Sequence, residues 1–362
     1  MKVLIRTDAS YEIGSGHVMR CLTLAHNLKK EGAKVVFACR KYNGNLCDYI
    51  ENEGYQVYRL PATPTENDKK YTNNHNPFLH LSQKQDAHET IEILGNIRGD
   101  INWMIVDHYA LDEQWERLMR PHCMQIMVID DVADRAHDCD ILLDQNLYEN
   151  AATRYKNLIH GQCRLLLGPK YSLIREEFIQ EQKFIKIRNG RIRNILIFYG
   201  GVDQSNETLK AINAIRLIDH KRLTINVVVG TNNPNRIKIS QQCAKLPNFN
   251  YYCQVKNIAK LMLKADLALG AGGTSSWERC CLGLPAIITS IADNQNLVCM
   301  NLAKFGAAIF LGKKDKVSPE LIAATLQNLF DNPVQLITIS GNALELADVN
   351  GAKRVIAEML SH

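Results

Sequence analysis

Apolar and polar positions fall in alternating blocks along the chain. The first forty residues read strand, loop, helix, strand: the apolar run KVLIR, the turn-forming DASYEIGSG, then HVMRCLTLAHNLKKEG, in which Val18, Leu22, Ala25 and Leu28 share one helical face. Gly32 closes that helix, and AKVVFAC is a short continuous apolar run of the kind a parallel sheet buries on both faces, so the unit is βαβ. The pattern repeats through the strand candidates YQVYRL, WMIVDHY, MQIMVID and DILLDQN, with helical stretches such as Ala87–Leu94 and Leu111–Met119 between them. An alternating α/β half therefore ends near Lys170.

Residues 61–85 interrupt this rhythm with a polar insertion, PATPTENDKKYTNNHNPFLHLSQKQ, long enough to form a functional loop. Residues 171–193 turn charge-rich and read as an interdomain linker whose basic cluster is a solvated face. A second α/β half starts at residue 194: strands NILIF, LTINVVVG and FNYYCQV, helix NIAKLMLKA, strand DLALG, loop AGGTSS, helix WERCCLG and strand PAIITS. The tail from Ser318 reads as helices only and is of a kind that packs back across a domain junction. The expected division is thus a first Rossmann-like domain over 1–170, a linker over 171–193 and a second Rossmann-like domain with helical tail over 194–362. Ligand is expected in a cleft at the strand C-termini of the two sheets.

Composition narrows the classes without changing this picture. The 362 residues are 46% apolar and 22% charged, ordinary for folded globular domains. The charge of +5 comes from 43 basic and 38 acidic residues spread along the chain, so no nucleic-acid partner is expected. Eleven cysteines, an odd number with no C-x-x-C pair and mostly inside apolar runs, argue against a disulfide framework or a zinc cluster and for a reducing, cytoplasmic compartment. No stretch reaches the roughly 18 apolar residues of a membrane span, and no signal-peptide core is expected in MKVLIRTDAS.

Candidate chemistry gathers at strand ends. Gly14-Ser15-Gly16-His17 lies between the first strand and first helix, where glycines allow close backbone approach and the helix start offers unpaired N–H groups. His17 is then either a catalytic residue at the ligand site or a satisfied core histidine. The loop is neither a dinucleotide fingerprint, which requires Gly where Met19 stands, nor a Walker A loop. Gly270-Ala271-Gly272-Gly273-Thr274-Ser275-Ser276, followed by Trp277-Glu278, joins a buried strand to a helix and reads as a diphosphate cradle; the competing reading is a turn that serves packing, with its hydroxyls as helix caps. Gly200-Gly201-Val202-Asp203 with Asn206 is balanced between ligand contact and helix capping. For Asp107 in Asp107-His108-Tyr109, and for Asp130, Asp131 and Asp144, capping competes with function. Asp293-Asn294-Gln295-Asn296 occupies another strand-end loop. His137-Asp138-Cys139-Asp140 lacks a spaced partner set, and no metal or other cofactor is expected.

Taken together, RTDASYEIGSGHVMRCLTLA, IVDHYALDEQW, IDDVADRAHDCDILLDQN, LLLGPKYSLIREEF, GGVDQSN and NIAKLM resemble the UDP-sugar hydrolases of pseudaminic acid biosynthesis, in order up to about Phe310. That family is similar in fold to the lipid-linked peptidoglycan glycosyltransferase, so the resemblance implies a GT-B architecture with UDP held mainly by the second domain. It implies metal-independent, inverting attack of water on the anomeric carbon of UDP-2,4-diacetamido-2,4,6-trideoxy-β-L-altropyranose, releasing UDP and free sugar for glycans such as those of flagellin. On the matching positions His17 is the general base, Tyr109 and Asn294 are its catalytic companions near sugar and water, and Gly14, Gly16 and Arg20 line the substrate. Ile258 faces uracil through its backbone, Glu278 accepts from the ribose, and Gly273, Thr274, Ser275 and Ser276 meet the diphosphate. Asp293 stands where the family has a different residue before the asparagine, and GAGGTSS is closer to the transferase pattern.

Two rivals follow. A GT-B glycosyltransferase would pass the sugar to an acceptor hydroxyl, though the polar 61–85 segment lacks the apolar loop by which the peptidoglycan enzyme meets the membrane. A nucleotide-sugar-binding module would bind without turnover. The expected partner is a UDP-sugar, with no nucleic acid and no membrane, and the chain is expected to be a monomer or weak oligomer.

Overall fold

A computed structural model describes residues 1–62, 79, 81–185 and 187–361. The 61–85 insertion falls mostly outside them. By contacts the chain forms two compact units, one of residues 1–146, 150–173 and the chain from Ala352 onward, the other of 147–149 and 174–351.

The first unit runs β1 (Lys2–Thr7), α1 (Gly16–Lys30), β2 (Lys34–Arg40), α2 (Cys47–Asn52), β3 (Gln56–Leu60), α3 (Gln83–Leu94), β4 (Ile101–Asp107), α4 (Glu113–Met119), β5 (Cys123–Ile129), β6 (Ile141–Asp144), α5 (Ala151–Arg154) and β7 (Arg164–Leu167). Its seven strands pair in parallel in the order β3-β2-β1-β4-β5-β6-β7. Successive side chains of a strand point to opposite faces: Val3 and Ile5 enter a core shared with α1 and α2, while Leu4 enters the core of Ala87, Trp115 and Met119 from α3 and α4. Both faces are covered, which is why these strands read as continuous apolar runs.

The second unit runs α6 (Glu176–Gln182), β8 (Asn194–Phe198), α7 (Glu207–Ile215), β9 (Thr224–Val229), α8 (Arg236–Cys243), β10 (Phe249–Cys253), α9 (Ile258–Lys264), β11 (Leu267–Ala271), α10 (Ser275–Cys281), β12 (Ala286–Ser290), α11 (Asp293–Lys304), β13 (Ile309–Lys313), α12 (Pro319–Asp331) and α13 (Pro333–Leu346). Its six strands are also parallel, in the order β10-β9-β8-β11-β12-β13. In each sheet the order reverses beside the unit's first strand, between β1 and β4 and between β8 and β11. Such switch points are where open α/β sheets leave a crevice for ligand.

Three expectations need correction. Residues 171–193 are not a free linker, because the second unit takes up the chain at Ile174 and α6 lies within the segment. The second domain does not run to 362, because the helical tail divides as a tail that packs back would, α12 and α13 staying in the second unit. The tail's last helix, α14 (Gly351–Leu360), carries Ala352, Val355, Ile356 and Met359 at helical spacing, and these side chains are buried in the first unit's core. Asp293 to Asn296 are not a loop but the first turn of α11.

Charged residues pin the strand ends of the first unit. Asp86 of α3 accepts from Arg6 of β1 (2.7 Å), from Arg40 of β2 (2.7 Å) and from the Trp115 indole of α4 (3.0 Å), all buried. One carboxylate thus ties two strands to two helices, and together with Asp8 on Arg6 and Glu89 on Arg40 (both 2.7 Å) its charge makes two buried guanidiniums tolerable. The eleven cysteines are free thiols, and no helix among the described residues is long and apolar enough to cross a membrane.

Candidate active site

In the first unit the loops after β1 and β4 meet at the switch point. The β1–α1 loop is shaped by Ser10, whose Oγ accepts from the backbone N–H of Glu12 and Ile13 (3.1 and 2.9 Å) and whose carbonyl accepts from Gly14 (2.9 Å). Gly14 has φ +81°, a left-handed conformation that glycine takes without strain. Gly16 is exposed and opens α1, and this places His17 in the helix's first turn with 7% of its surface accessible.

His17 Nδ1 lies 2.5 Å from Asp107 Oδ1. Asp107 ends β4 and is fully buried. Burial alone would raise its pKa, but the Arg20 guanidinium, with His17, holds the carboxyl well below the usual carboxylate range. An ionised carboxylate only accepts, so His17 donates through Nδ1 and keeps Nε2 as the ring's acceptor. Arg20, one helical turn on from His17, donates bidentately to Asp107 (2.6 and 2.7 Å) and to Asp131 Oδ2 (2.8 Å). The Tyr109 hydroxyl donates to the other oxygen of Asp131 (2.7 Å), and its ring meets the His17 ring edge-on at 4.4 Å between centroids. His17, Arg20 and Tyr109 are therefore drawn together by two aspartates. Arg20, expected to line the substrate, is buried and turned onto those carboxylates.

Asp144, at the end of β6 and 2% exposed, accepts from the Tyr155 hydroxyl (3.0 Å) and from the Asn146 N–H (3.0 Å). Burial, reinforced by the charge of Asp131, pushes its carboxyl up to about 7. A carboxyl whose pKa is raised on folding stabilises the fold only while protonated, and that contribution fades as pH rises from about 4 to about 7. Asp144→Asn is therefore expected to be more stable than the parent by about 4 kcal/mol at pH 8, with the gain absent below pH 4. Urea unfolding of both proteins at the two pH values measures it.

In the second unit the glycine-rich loop also lies at the switch point, between β11 and α10. Two of its glycines answer to packing: a Cβ on Gly272 would lie 1.9 Å from Cys299 Sγ, and one on Gly270 2.7 Å from the Phe198 carbonyl. The hydroxyls are not capping groups, since Thr274 is the N-cap residue of α10 and makes no side-chain capping bond. Ser276, expected to meet the diphosphate, is buried, and its Oγ accepts from Arg279 Nη2 (2.9 Å). Gly273, Thr274 and Ser275 are half-buried. Arg279 lies beneath the loop, 3% exposed, and also donates to the Ala271 carbonyl (2.7 Å) and to Ser275 Oγ (3.1 Å).

The expected uridine residues stand nearby on the same unit. Ile258 opens α9 and is buried; the next N–H, of Ala259, donates to Glu177 (3.3 Å). Glu278 Oε1 accepts from Arg175 Nε at 2.6 Å. Asp203 is a helix cap, accepting from the N–H groups of Glu207 and Thr208 (both 2.9 Å). Asn294 is exposed in the first turn of α11, and its neighbour Asp293 pairs with Lys313 (2.9 Å). Asp107, Asp131, Arg175 and Arg279 are the site groups that sequence reasoning gave no partner. Their pairings are long-range or internal to a fold, although Arg175 and Arg279 lie inside the quoted segments LIREEF and WERCCLG.

Comparison with known proteins gives this geometry a family. Residues 194–356 match the glycosyltransferase family 28 C-terminal domain. The UDP-2,4-diacetamido-2,4,6-trideoxy-β-L-altropyranose hydrolase of Campylobacter jejuni subsp. jejuni serotype O:2 is 32% identical over 268 residues, 74% of this chain and 83% of that protein. The spore coat polysaccharide biosynthesis protein SpsG of Bacillus subtilis (strain 168) is 24% identical over 360 residues, 99% of this chain and 97% of that one. The crystal structure of Acinetobacter baumannii MurG superposes with a TM-score of 0.67 at 14% identity, covering 100% of this chain and 99% of that one, and shares the fold. Two Rossmann-like sheets of this order thus form a GT-B enzyme that acts on a UDP-sugar, and the identity to the Campylobacter protein over most of its length shows that the chain belongs to the UDP-2,4-diacetamido-2,4,6-trideoxy-β-L-altropyranose hydrolase family.

Proposed function

We propose that this chain hydrolyses a UDP-linked 2,4-diacetamido-2,4,6-trideoxy hexose to UDP and free sugar, with inversion and without a metal, as a step of pseudaminic acid biosynthesis in the cytoplasm. The observation that carries the reading is the buried His17–Asp107 pair, 2.5 Å apart, which leaves the imidazole Nε2 free to accept a proton. Water attacks the anomeric carbon, its proton passes to Nε2, the bond from that carbon to the diphosphate oxygen breaks, and UDP leaves with the electron pair. The Asp107 carboxylate stabilises the imidazolium as it forms, which is where such an orienting group acts.

Tyr109 supports the same step. Its O–H is committed to Asp131, so its oxygen lone pairs are what it offers, and a water accepted there is held beside the His17 ring. Asn294 serves as the sugar contact from α11, and Gly14 and Gly16 form the wall of the first loop. On the second unit Gly273, Thr274 and Ser275 take the diphosphate, the Ile258 backbone faces uracil, and Glu278, with Oε1 held by Arg175, presents Oε2 to the ribose hydroxyls.

The test is to incubate purified protein, with EDTA and without acceptor, with the UDP-diacetamido-trideoxy-altrose, following UDP and the anomer of the free sugar by NMR. Release with initial inversion is the expected result. Release only on adding an acceptor alcohol would assign a glycosyltransferase, and binding without release under either condition a nucleotide-sugar-binding module.

A further inference from the structure

Arg279 is a buried charge with no carboxylate bonded to it among the described residues; burial pulls its pKa down, and the more distant Glu278 offsets that only in part. Its guanidinium is buried, and among the described residues it makes no ion pair; its hydrogen bonds go to the Ala271 carbonyl and to the hydroxyls of Ser275 and Ser276. The nearest carboxylate in sequence, Glu278, is occupied by Arg175 at 2.6 Å. Cys280, Cys299 and Tyr199 also surround it, and burial holds all three in their neutral forms by pushing their pKa values up. Buried arginines are ordinarily paired, because desolvating an ion costs more than neutral hydrogen bonds return. An unpaired one directly under a loop of small residues sets up a positive field that an anion on the loop's outer side completes.

We infer that Arg279 is the electrostatic floor of the diphosphate site: it acts on the bound diphosphate through the loop, by its charge and by fixing the Ser275 hydroxyl. Ser275 Oγ accepts from Arg279, so its own O–H is turned away from the guanidinium, and a hydroxyl that accepts from a cation is a stronger donor to an anion. Ser276 braces the guanidinium from within, which explains why a serine expected to contact phosphate is buried instead. Arg279 is thus a positioning residue, and the inference rests on the UDP-sugar reading of this loop.

The test compares the affinities of uridine, UMP and UDP for the full chain by calorimetry. The parent is expected to tighten from uridine to UDP. Arg279→Met is expected to keep its uridine affinity but to lose about tenfold or more of the gain from uridine to UDP, and Arg279→Lys to recover part of it. A merely structural residue would weaken all three ligands together. An unchanged uridine-to-UDP gain in the methionine variant overturns the inference while leaving the nucleotide site intact; a parent that binds no UDP overturns the nucleotide reading itself. Should the methionine variant not fold, Arg279→Lys and Ser275→Ala carry the comparison, each expected to lose part of the gain, and full retention in both is the overturning result.

Discussion

Replacing His17 with asparagine is expected to lower turnover by about 10²–10⁴-fold while UDP affinity stays within a factor of about two, because general-base catalysis contributes that much and the residues proposed to hold UDP belong to the other unit. The asparagine amide still donates to Asp107 and fills similar space, so folding is preserved. Its carbonyl is too weak a base to take the water's proton. Single-turnover release of UDP, set beside calorimetric titration with UDP, separates the two effects. A rate within threefold or so of the parent would remove His17 from the mechanism.

The second large effect is expected at Asp107. Changing it to asparagine leaves Arg20 buried with Asp131 as its remaining carboxylate, and breaking a buried charge pair from one side typically costs about 3–5 kcal/mol. The amide also offers an N–H where the carboxylate only accepted, which favours the wrong tautomer of His17 and places the proton on Nε2. Turnover is therefore expected to fall at least as far as in the His17 variant, about 10³-fold or more, together with a lowered midpoint of urea unfolding. The sign with pH is fixed by the depressed folded-state pKa of Asp107: its stabilisation is fully present above the ordinary carboxylate range and is lost progressively as pH falls through and below that range. The stability of the parent over the variant is thus expected to shrink as pH falls below about 4, which urea unfolding across that range measures.

Much of this architecture is legible in the chain, and the reason is local. Strands buried on both faces must be apolar at every position, so KVLIR, AKVVFAC and WMIV announce themselves, and the glycine-bearing loops between strand and helix mark the switch points. The short strands β7 and β13 do not, being partly exposed edge strands with Arg164, Gly312 and Lys313 in them. The amphipathic pattern of α14 is visible, but a helical face states that it is buried and not against which core. The ionic part of the site is the least legible. Arg20 meets Asp107 and Asp131 across 87 and 111 residues, and Arg6 meets Asp86 across 80, separations that leave no periodic trace. For Asp107 the sequence left capping in competition with function, and the folded chain pairs it with His17 and Arg20. The loop Gly270–Ser276 shows the opposite difficulty, since two of its glycines are demanded by Cys299 and Phe198 and are no signal of ligand at all.

The docking of α14 bears on how the protein is made. Val355 and Ile356 complete a core whose other members include Val3 and Ile5, so the ribosome must emit the entire second unit before the unit holding His17 can close. A nascent chain at that stage presents an uncovered apolar face on its first sheet, a target for holding chaperones. A late nonsense or frameshift lesion in the gene would accordingly injure the unit that holds His17, encoded at the far end of the message, and leave the second unit's own core whole.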